Sequence, residues 1–280
     1  MSIFEKPGYQ IDRPEPSQLF LKARNIAGLR LQEQFNKNNG CVEESRDYKW
    51  IKAELTCPSF DHLTFGYKNQ VFSVLVDLRD SQQSYLSRQE RDRFITATTE
   101  NNLVPCLFPI MLPELKPAHA EWNLTHITTG KSVVPNEVAT DENMPMSEWE
   151  LHNFVIQIVR NHLEHDKRSR ILSFCDILQI NPQIWFDDAA GNTCWVLVRH
   201  LKQPEDGAIS KWIGLEKLNP PLKGYDGFFA GVSLASSAPI LHDQQGNLIP
   251  LSERFSGKAP LYRGDQFYIE FDGLQRIHVP

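Results

Sequence analysis

Residues 183–201 read QIWFDDAAGNTCWVLVRHL and contain two apolar runs with a turn between them. The runs are 184–186 and 195–198, and residues 187–192 supply the aspartate, glycine and asparagine that turns favour. The second run is apolar at every position, which is typical of a strand covered on both faces of its sheet. The stretch therefore predicts a β-hairpin whose second strand is central.

The first half of the chain contains a similar stretch, 62–78, which reads HLTFGYKNQVFSVLVDL. It has a short apolar run at 63–65, a polar turn and a longer apolar run at 71–76, which we also expect to be a central strand. The repeated pattern predicts two similar lobes and favours an internal duplication. An independent origin of the two stretches stays open, because any two hairpins share this pattern.

Each hairpin is expected to follow a helix that covers its sheet. Ser17 is placed to cap a helix over 18–36, where apolar residues recur at helical spacing. Ser147 begins the other helix, with Glu150 three residues later in a capping-box arrangement. These two helices should lay their apolar faces on the sheets of their own lobes.

Shorter signals complete the secondary structure. A serine-capped helix is predicted over 87–101, and residues 103–108 predict a strand whose proline favours an edge or a start. A strand is expected at 171–175, before the second hairpin. In the tail, residues 239–250 predict a small hairpin and 266–271 a closing strand, with the partner of each left open.

Four prolines among polar residues make 113–146 the best candidate for a linker. We therefore expect an N-terminal α/β lobe over 1–112 and a C-terminal α/β lobe with a β-rich tail over 147–280. A length of 280 residues suits two domains. The expected fold class is α/β, or α+β, with two similar lobes that each contain a mixed sheet covered by helices.

Composition excludes several classes of protein. A formal net charge of −6 argues against a broad affinity for nucleic acid or anionic membranes, although a local basic patch stays possible in an acidic total. None of the five cysteines has the spacing of a zinc knuckle, so we expect reduced, mostly buried thiols. No apolar run resembles a signal peptide or approaches the roughly 20 residues of a membrane span. We expect a cytoplasmic protein without a membrane partner.

The order of elements over 147–201 is a helix and three strands, the last two in a hairpin, with further α/β structure after them. It resembles the core of the restriction-endonuclease-like, or PD-(D/E)XK, superfamily, and 17–110 resembles that core less closely. In that superfamily an aspartate opens the second strand, and a glutamate and a lysine two residues later lie on the third. The resemblance implies carboxylates that hold Mg²⁺ and a lysine that assists the attacking water.

The residues at these positions differ from the superfamily pattern. Gln183 stands where the aspartate belongs, and Leu197 and Arg199 stand where the glutamate and the lysine belong. In the first lobe Leu75 and Asp77 occupy the last two positions, and an aspartate precedes the strand. Carboxylates that have moved from the family positions could still hold a metal. The weak candidates for such catalytic residues are Asp187, Asp188, Asp61, Glu148 and Glu150.

The missing carboxylates favour a non-catalytic, nuclease-like protein that acts as a binding or assembly module, with nucleic acid and protein both open as partners. Arg199, His200 and Lys202 form a compact basic group at the end of the third strand, and with Gln183 they are the candidate ligand-binding residues. Tryptophans beside this group could stack bases if exposed, although core filling is their usual role. No cofactor is expected. The alternative, a metal-dependent nuclease with migrated acidic residues, requires Mg²⁺.

Overall fold

The computed structural model describes residues 18–38, 48–52, 62–81, 83–178, 180–202 and 222–277. These residues belong to two compact units, whose boundary lies between Met144 and Pro145. Each unit contains a mixed β-sheet with few helices, so the α/β class and the two lobes are confirmed. None of the described helices is long and apolar enough to cross a membrane.

The first unit contains a sheet and two helices of more than one turn. Its elements are α1 (Gln18–Asn38), β1 (Tyr48–Lys52), β2 (His62–Tyr67), β3 (Gln70–Asp80), β4 (Gln83–Ser84), α2 (Arg88–Glu100), β5 (Val104–Met111), β6 (Lys116–Pro117), β7 (Thr125–His126) and the single turn α3 (Pro135–Val138). Strands β1, β2 and β3 are antiparallel neighbours, β5 is parallel to β3, and β6 and β7 pair antiparallel with β5.

Strand β3 is central, as its sequence predicts. Residues 71–78 are buried, because side chains cover the strand on both faces. On one face Phe72 and Val74 pack in the cluster that includes residues of α1, and on the other Leu75 packs with Phe94 of α2. The chain thus covers both sides of a largely apolar strand with helices.

The second unit opens with a helix and continues into a larger set of strands. Its elements are α4 (Glu148–Asn161), a π-helical turn (His162–Asp166), β8 (Arg170–Phe174), β9 (Ile184–Asp187), β10 (Thr193–Leu201), β11 (Asp226–Ser236), β12 (Leu241–His242), β13 (Leu248–Ile249), β14 (Phe267–Glu270) and β15 (Gln275–Ile277). The sheet order is β14, β11, β10, β9, β8, and β15 also pairs with β11.

The two sheets share a topology. In the second unit β8, β9 and β10 are antiparallel neighbours, β11 is parallel to β10, and β14 is antiparallel to β11. The same series of pairings occurs in the first unit, from β1 to β6. The predicted small hairpin forms between β12 and β13, and the closing strand extends the second sheet.

The capping box predicted for α4 is confirmed. The Ser147 Oγ accepts a hydrogen bond from the Glu150 backbone N–H at 3.2 Å, and the Glu150 carboxylate accepts from the Ser147 backbone N–H at 2.9 Å. Helix α2 begins with the same arrangement at Ser87. Ser17, the predicted cap of α1, lies outside the described residues. Helix α4 buries Leu151 and Val155 against the sheet.

One expectation about a proline-containing segment is corrected, and one alternative for another segment is decided. Residues 113–144 are not a linker but part of the first unit, because Trp122, Leu124 and Val133 are buried in its core. Of the two alternatives for the proline of β5, a start and an edge, the start is correct, because the strand begins near Pro105 and lies inside the sheet. The prolines of 113–144 correctly indicated irregular backbone, but prolines carry no information about burial.

Strand β10 is also covered on both faces. Val196 and Val198 face the cluster that contains α4 residues, whereas Trp195 and Leu197 point to the opposite face. There the neighbouring strand supplies Gly227, where a Cβ atom would lie 2.1 Å from Cζ2 of Trp195. Only glycine leaves room for the indole at this position.

Candidate functional site

Most of the candidate ligand-binding residues lie where β10 ends beside the first turns of α4. The Lys202 Nζ donates to the Glu148 Oε1 at 2.5 Å, which joins the end of the strand to the start of the helix. We call the group the β10–α4 cluster and define it as Glu148, Trp149, His152, Asp176, Asn181, Gln183, Arg199, His200 and Lys202.

Gln183 is fully buried and has a structural role in this cluster. Its amide oxygen accepts from the Val198 backbone N–H at 2.9 Å. Its amide nitrogen donates to the Ile180 carbonyl oxygen at 2.5 Å and to the Asn181 Oδ1 at 3.1 Å. Both amide hydrogens are therefore used within the protein, and Gln183 shapes the site instead of offering donors to a ligand.

Arg199 is braced by the same loop. Its guanidinium donates to the Asn181 Oδ1 at 2.6 Å and to the Val198 carbonyl oxygen at 2.7 Å. Burial lowers the pKa of Arg199 to about 10, so the guanidinium still carries its charge at neutral pH. The position that the superfamily gives to lysine therefore retains a cation.

His152, one turn into α4, was not predicted as a site residue. It is 2% exposed, and within the described residues its Nε2 has no hydrogen-bond partner. Burial lowers the pKa of His152 from 6.5 to about 4, and the positive charges of Arg199 and His200 act in the same direction, whereas Asp176 opposes them. The imidazole is therefore neutral at pH 7.

The depressed pKa of His152 predicts a loss of stability in acid. Between pH 6.5 and pH 4 the unfolded chain binds a proton at this histidine and the folded chain does not, so the free energy of unfolding falls as the pH falls. The slope from one such group is at most about 1.4 kcal/mol per pH unit. Urea unfolding followed by tryptophan fluorescence at several pH values measures it, and His152→Gln should remove this part of the slope. His165→Gln, at an exposed position, is the control, and equal slopes in both variants would contradict the prediction.

Trp149 lies in the first turn of α4 and is partly exposed. Its indole N–H donates to the Asp176 Oδ2 at 3.1 Å, and Asp176 is 1% exposed. A hydrogen bond to a buried carboxylate fixes the orientation of the ring. Sequence reasoning named this tryptophan among six, and its place beside the capping box was the signal that could have selected it.

The two glutamates at the start of α4 are engaged in ion pairs. The hydrogen bond from Lys202 is the main cause that lowers the pKa of Glu148. Glu150 accepts two hydrogen bonds from the Arg263 guanidinium, at 2.8 and 2.7 Å, and the two side chains are 4% and 3% exposed. Glu150 thus anchors the C-terminal segment to α4 and is unavailable to a metal.

Asp187 and Asp188 lie at the other end of β10, near its first residue. Hydrogen bonds from Arg170 and Thr193, at 2.6 and 2.9 Å, engage the Asp187 carboxylate, and the Arg170 bond is the main cause that lowers its pKa. Asp188 accepts from residues of its own turn, with Asn192 first among the causes that lower its pKa. A nine-residue strand spans roughly 30 Å. These aspartates therefore cannot share a metal with the glutamates of α4.

The described residues do not fit the Mg²⁺ site of the nuclease superfamily. Across the described part of the chain, no three His, Cys, Asp or Glu side chains come together in a way that could hold a metal ion. Leu197, at the position of the family glutamate, is fully buried among apolar side chains. Asp61 lies outside the described residues.

In the first unit the equivalent strand end is also closed by internal contacts. Asp77, at the place of the family lysine, is fully buried, and the Arg79 Nε donates to its carboxylate at 2.7 Å. Ser84 and Arg91 complete its surroundings. These structural contacts engage the Asp77 carboxylate, so it offers no charge to a ligand.

Comparison with known proteins gives a match to a family model in the second unit. No curated protein and no solved structure resembles the chain closely enough to count as a match. The match begins in the first turn of α4 and ends in β15, so it contains Trp149, His152, Arg199 and Lys202. Over residues 149–277 the chain is similar to a domain family of unknown function (DUF8840).

Proposed function

We propose that this is a non-catalytic, restriction-endonuclease-like protein that binds the phosphate backbone of nucleic acid through the β10–α4 cluster of its second unit. The observation that carries the proposal is the braced Arg199 guanidinium, which is followed on the same strand end by His200 and Lys202. Phosphate contacts need positive groups held near a surface, and arginine and lysine supply most of them.

The topology of both units supports the nuclease-like part of the proposal. In each unit a helix precedes three antiparallel strands, and the second and third of these form a hairpin. This is the core that the superfamily resemblance implies. The same pairing order in both sheets also supports an internal duplication.

The residues that occupy the catalytic positions of the superfamily support the non-catalytic part of the proposal. Gln183 uses both amide hydrogens to hold the loop before β9, and Leu197 lies in an apolar cluster. Neither residue supplies the negative charge that would bind Mg²⁺. Arg199 alone preserves the charge of its family counterpart, and this charge serves binding without a metal.

The ion pair between Lys202 and Glu148 does not block a phosphate. The two side chains are 53% and 70% exposed, so solvent screens their attraction and the pair contributes little to stability. A phosphate oxygen can replace the glutamate carboxylate as the partner of the ammonium group. The exposed Lys202 and the partly buried Arg199 then suffice for a weak, salt-sensitive contact, which suits the acidic total charge of the chain.

The test is fluorescence anisotropy with labelled DNA and RNA oligonucleotides. We expect binding that weakens between about 50 and about 200 mM salt, and we expect Lys202→Met to reduce the salt slope by about one and to weaken binding several-fold. Lys258→Met is the matched control, because Lys258 also pairs with a glutamate, Glu253, on the surface. Equal losses in the two variants, or no binding at the lower salt, would overturn the proposal in favour of a protein partner.

The alternative, a metal-dependent nuclease, is tested on the same oligonucleotides with Mg²⁺ or Mn²⁺. We expect them to remain intact. Cleavage that is abolished by Asp187→Ala or by Asp61→Ala would replace the non-catalytic proposal with the nuclease.

A further inference from the structure

We propose that the β10–α4 cluster takes single-stranded nucleic acid, with one base stacked on the Trp149 ring while the strand end holds the neighbouring phosphate. This inference rests on the proposed function and adds the class of nucleic acid. An aromatic ring beside a basic groove is the usual arrangement of proteins that bind single strands, because every unpaired base has a face that can stack. A base inside a duplex has no free face for such a contact.

Trp149 is less buried than the other described tryptophans of its unit. Trp185 and Trp195 are 2% and 0% exposed in the apolar cluster on the opposite face of the sheet, so they fill the core. Trp149 is only partly buried. Among the described tryptophans of the second unit, it alone can meet a base.

The ring is also held in place. Its N–H is bonded to the buried Asp176 carboxylate, so the polar edge of the indole points inward and the ring does not rotate freely. A fixed aromatic side chain loses little conformational entropy when a base stacks on it. The exposed part of Trp149 is therefore presented to a base in a fixed orientation.

The basic residues that we propose as phosphate contacts are linked to the first turn of α4, which holds this ring. Glu148, the residue before Trp149, is bonded to Lys202, and His152, three residues after Trp149, lies close enough to Arg199 and His200 for their charges to act on its imidazole. Residues three apart lie on the same side of a helix. The end of β10 at His200 and Lys202 therefore adjoins the side of α4 that holds Trp149.

His152 provides independent support for a ligand at this place. A buried ring nitrogen without a partner is uncommon in proteins, where most such groups are bonded to protein, water or ligand. Among the described residues the His152 Nε2 has none. A phosphate or a base edge that enters beside Arg199 would supply the missing hydrogen bond.

The experiment compares a labelled oligothymidylate of about 16 nucleotides, the upper site size of one single-strand-binding fold, with the same strand in a duplex. We expect the single strand to bind about ten-fold more tightly. Trp149→Leu should reduce the affinity for the single strand about ten-fold and bring it close to that of the duplex, because it removes the stacking surface and leaves the basic residues in place.

A second pair of variants keeps the test decisive if Trp149→Leu fails to fold. Trp149→Phe retains an aromatic face, so most of the affinity should remain while the quenching of tryptophan fluorescence by oligothymidylate is lost. Trp50→Phe is the matched control, since Trp50 is also partly exposed, bonds Gln32 through its indole N–H and belongs to the other unit. Quenching should persist in that control.

The outcomes separate the inference from the proposed function. Equal affinity for single strand and duplex, or full quenching in Trp149→Phe, would overturn the single-strand inference and leave the phosphate-binding proposal standing. Absence of binding to either oligonucleotide at low salt would overturn both.

Discussion

Replacing Arg263 by methionine is expected to lower the free energy of unfolding of the second unit by about 3–5 kcal/mol. The change leaves the Glu150 carboxylate buried at 4% exposure without the guanidinium that now donates two hydrogen bonds to it. Methionine fills a similar volume, so the loss comes from the uncompensated charge rather than from a cavity. Urea unfolding of the variant and of the wild type gives the difference directly.

The matched control for this prediction is Arg276→Met. Arg276 pairs with Asp226 in the same unit, but the two side chains are 56% and 50% exposed. An exposed pair contributes about 1 kcal/mol or less, since water solvates both charges when the pair is broken. A loss in Arg263→Met as small as that in the control would mean that Glu150 is not buried as described. The double variant Glu150→Gln/Arg263→Met should recover part of the lost free energy of unfolding, because it removes the buried, unpaired charge of Glu150.

Elements with strong local signals could be predicted from the sequence. The capping boxes at Ser147 and Ser87 satisfy helix N-termini with residues three apart, so no distant part of the chain is needed to form them. The runs 71–76 and 195–198 are apolar on both faces, and a strand of that kind can only be central. The two similar lobes follow from these local patterns.

The structure of residues 113–144 could not be predicted in this way. Their prolines and polar residues indicate irregular backbone, and that part of the interpretation is correct. Whether irregular backbone packs on a core depends on a few apolar side chains, here Trp122, Leu124 and Val133, and on the apolar surface that distant strands present to them. Composition reports neither of these, which is why a linker was the wrong conclusion.

Only the part of the candidate site that lies at the end of β10 could be predicted from the sequence. Arg199, His200 and Lys202 are consecutive or nearly so, and the end of a strand is where a charged group naturally leaves the sheet. Their meeting with Glu148 and His152 depends on how α4 packs across β10, and about 50 residues separate the two elements. Moreover, Gln183 was expected to contact a ligand, whereas its side-chain bonds to the loop at 180–181 can be seen only in three dimensions.

Introducing a carboxylate at the position of the family glutamate tests how the site departs from that of a nuclease. Leu197→Glu is expected to lower the free energy of unfolding of the second unit by about 3–5 kcal/mol, with or without Mg²⁺. Leu197 is fully buried and packs in an apolar cluster that includes Leu222 and Phe229. The indole N–H groups of Trp185 and Trp195 have no partner within the described residues and could bond the new carboxylate, but they carry no charge to balance it. The Arg199 guanidinium, two residues along the strand, is already bonded to Asn181 and to the Val198 carbonyl oxygen.

Leu197→Met is the control, and it should cost less than about 1.5 kcal/mol, since it preserves volume and polarity. Urea unfolding of both variants with and without Mg²⁺ separates two situations. In a metal site the new carboxylate would gain affinity for Mg²⁺, and added metal would raise the stability of Leu197→Glu but not of Leu197→Met. In an apolar core the metal has no access and the loss persists. Stabilisation of the glutamate variant by Mg²⁺ would therefore place a latent metal centre at β10 and contradict the binding role inferred from Arg199, because the two residues lie on the same strand face.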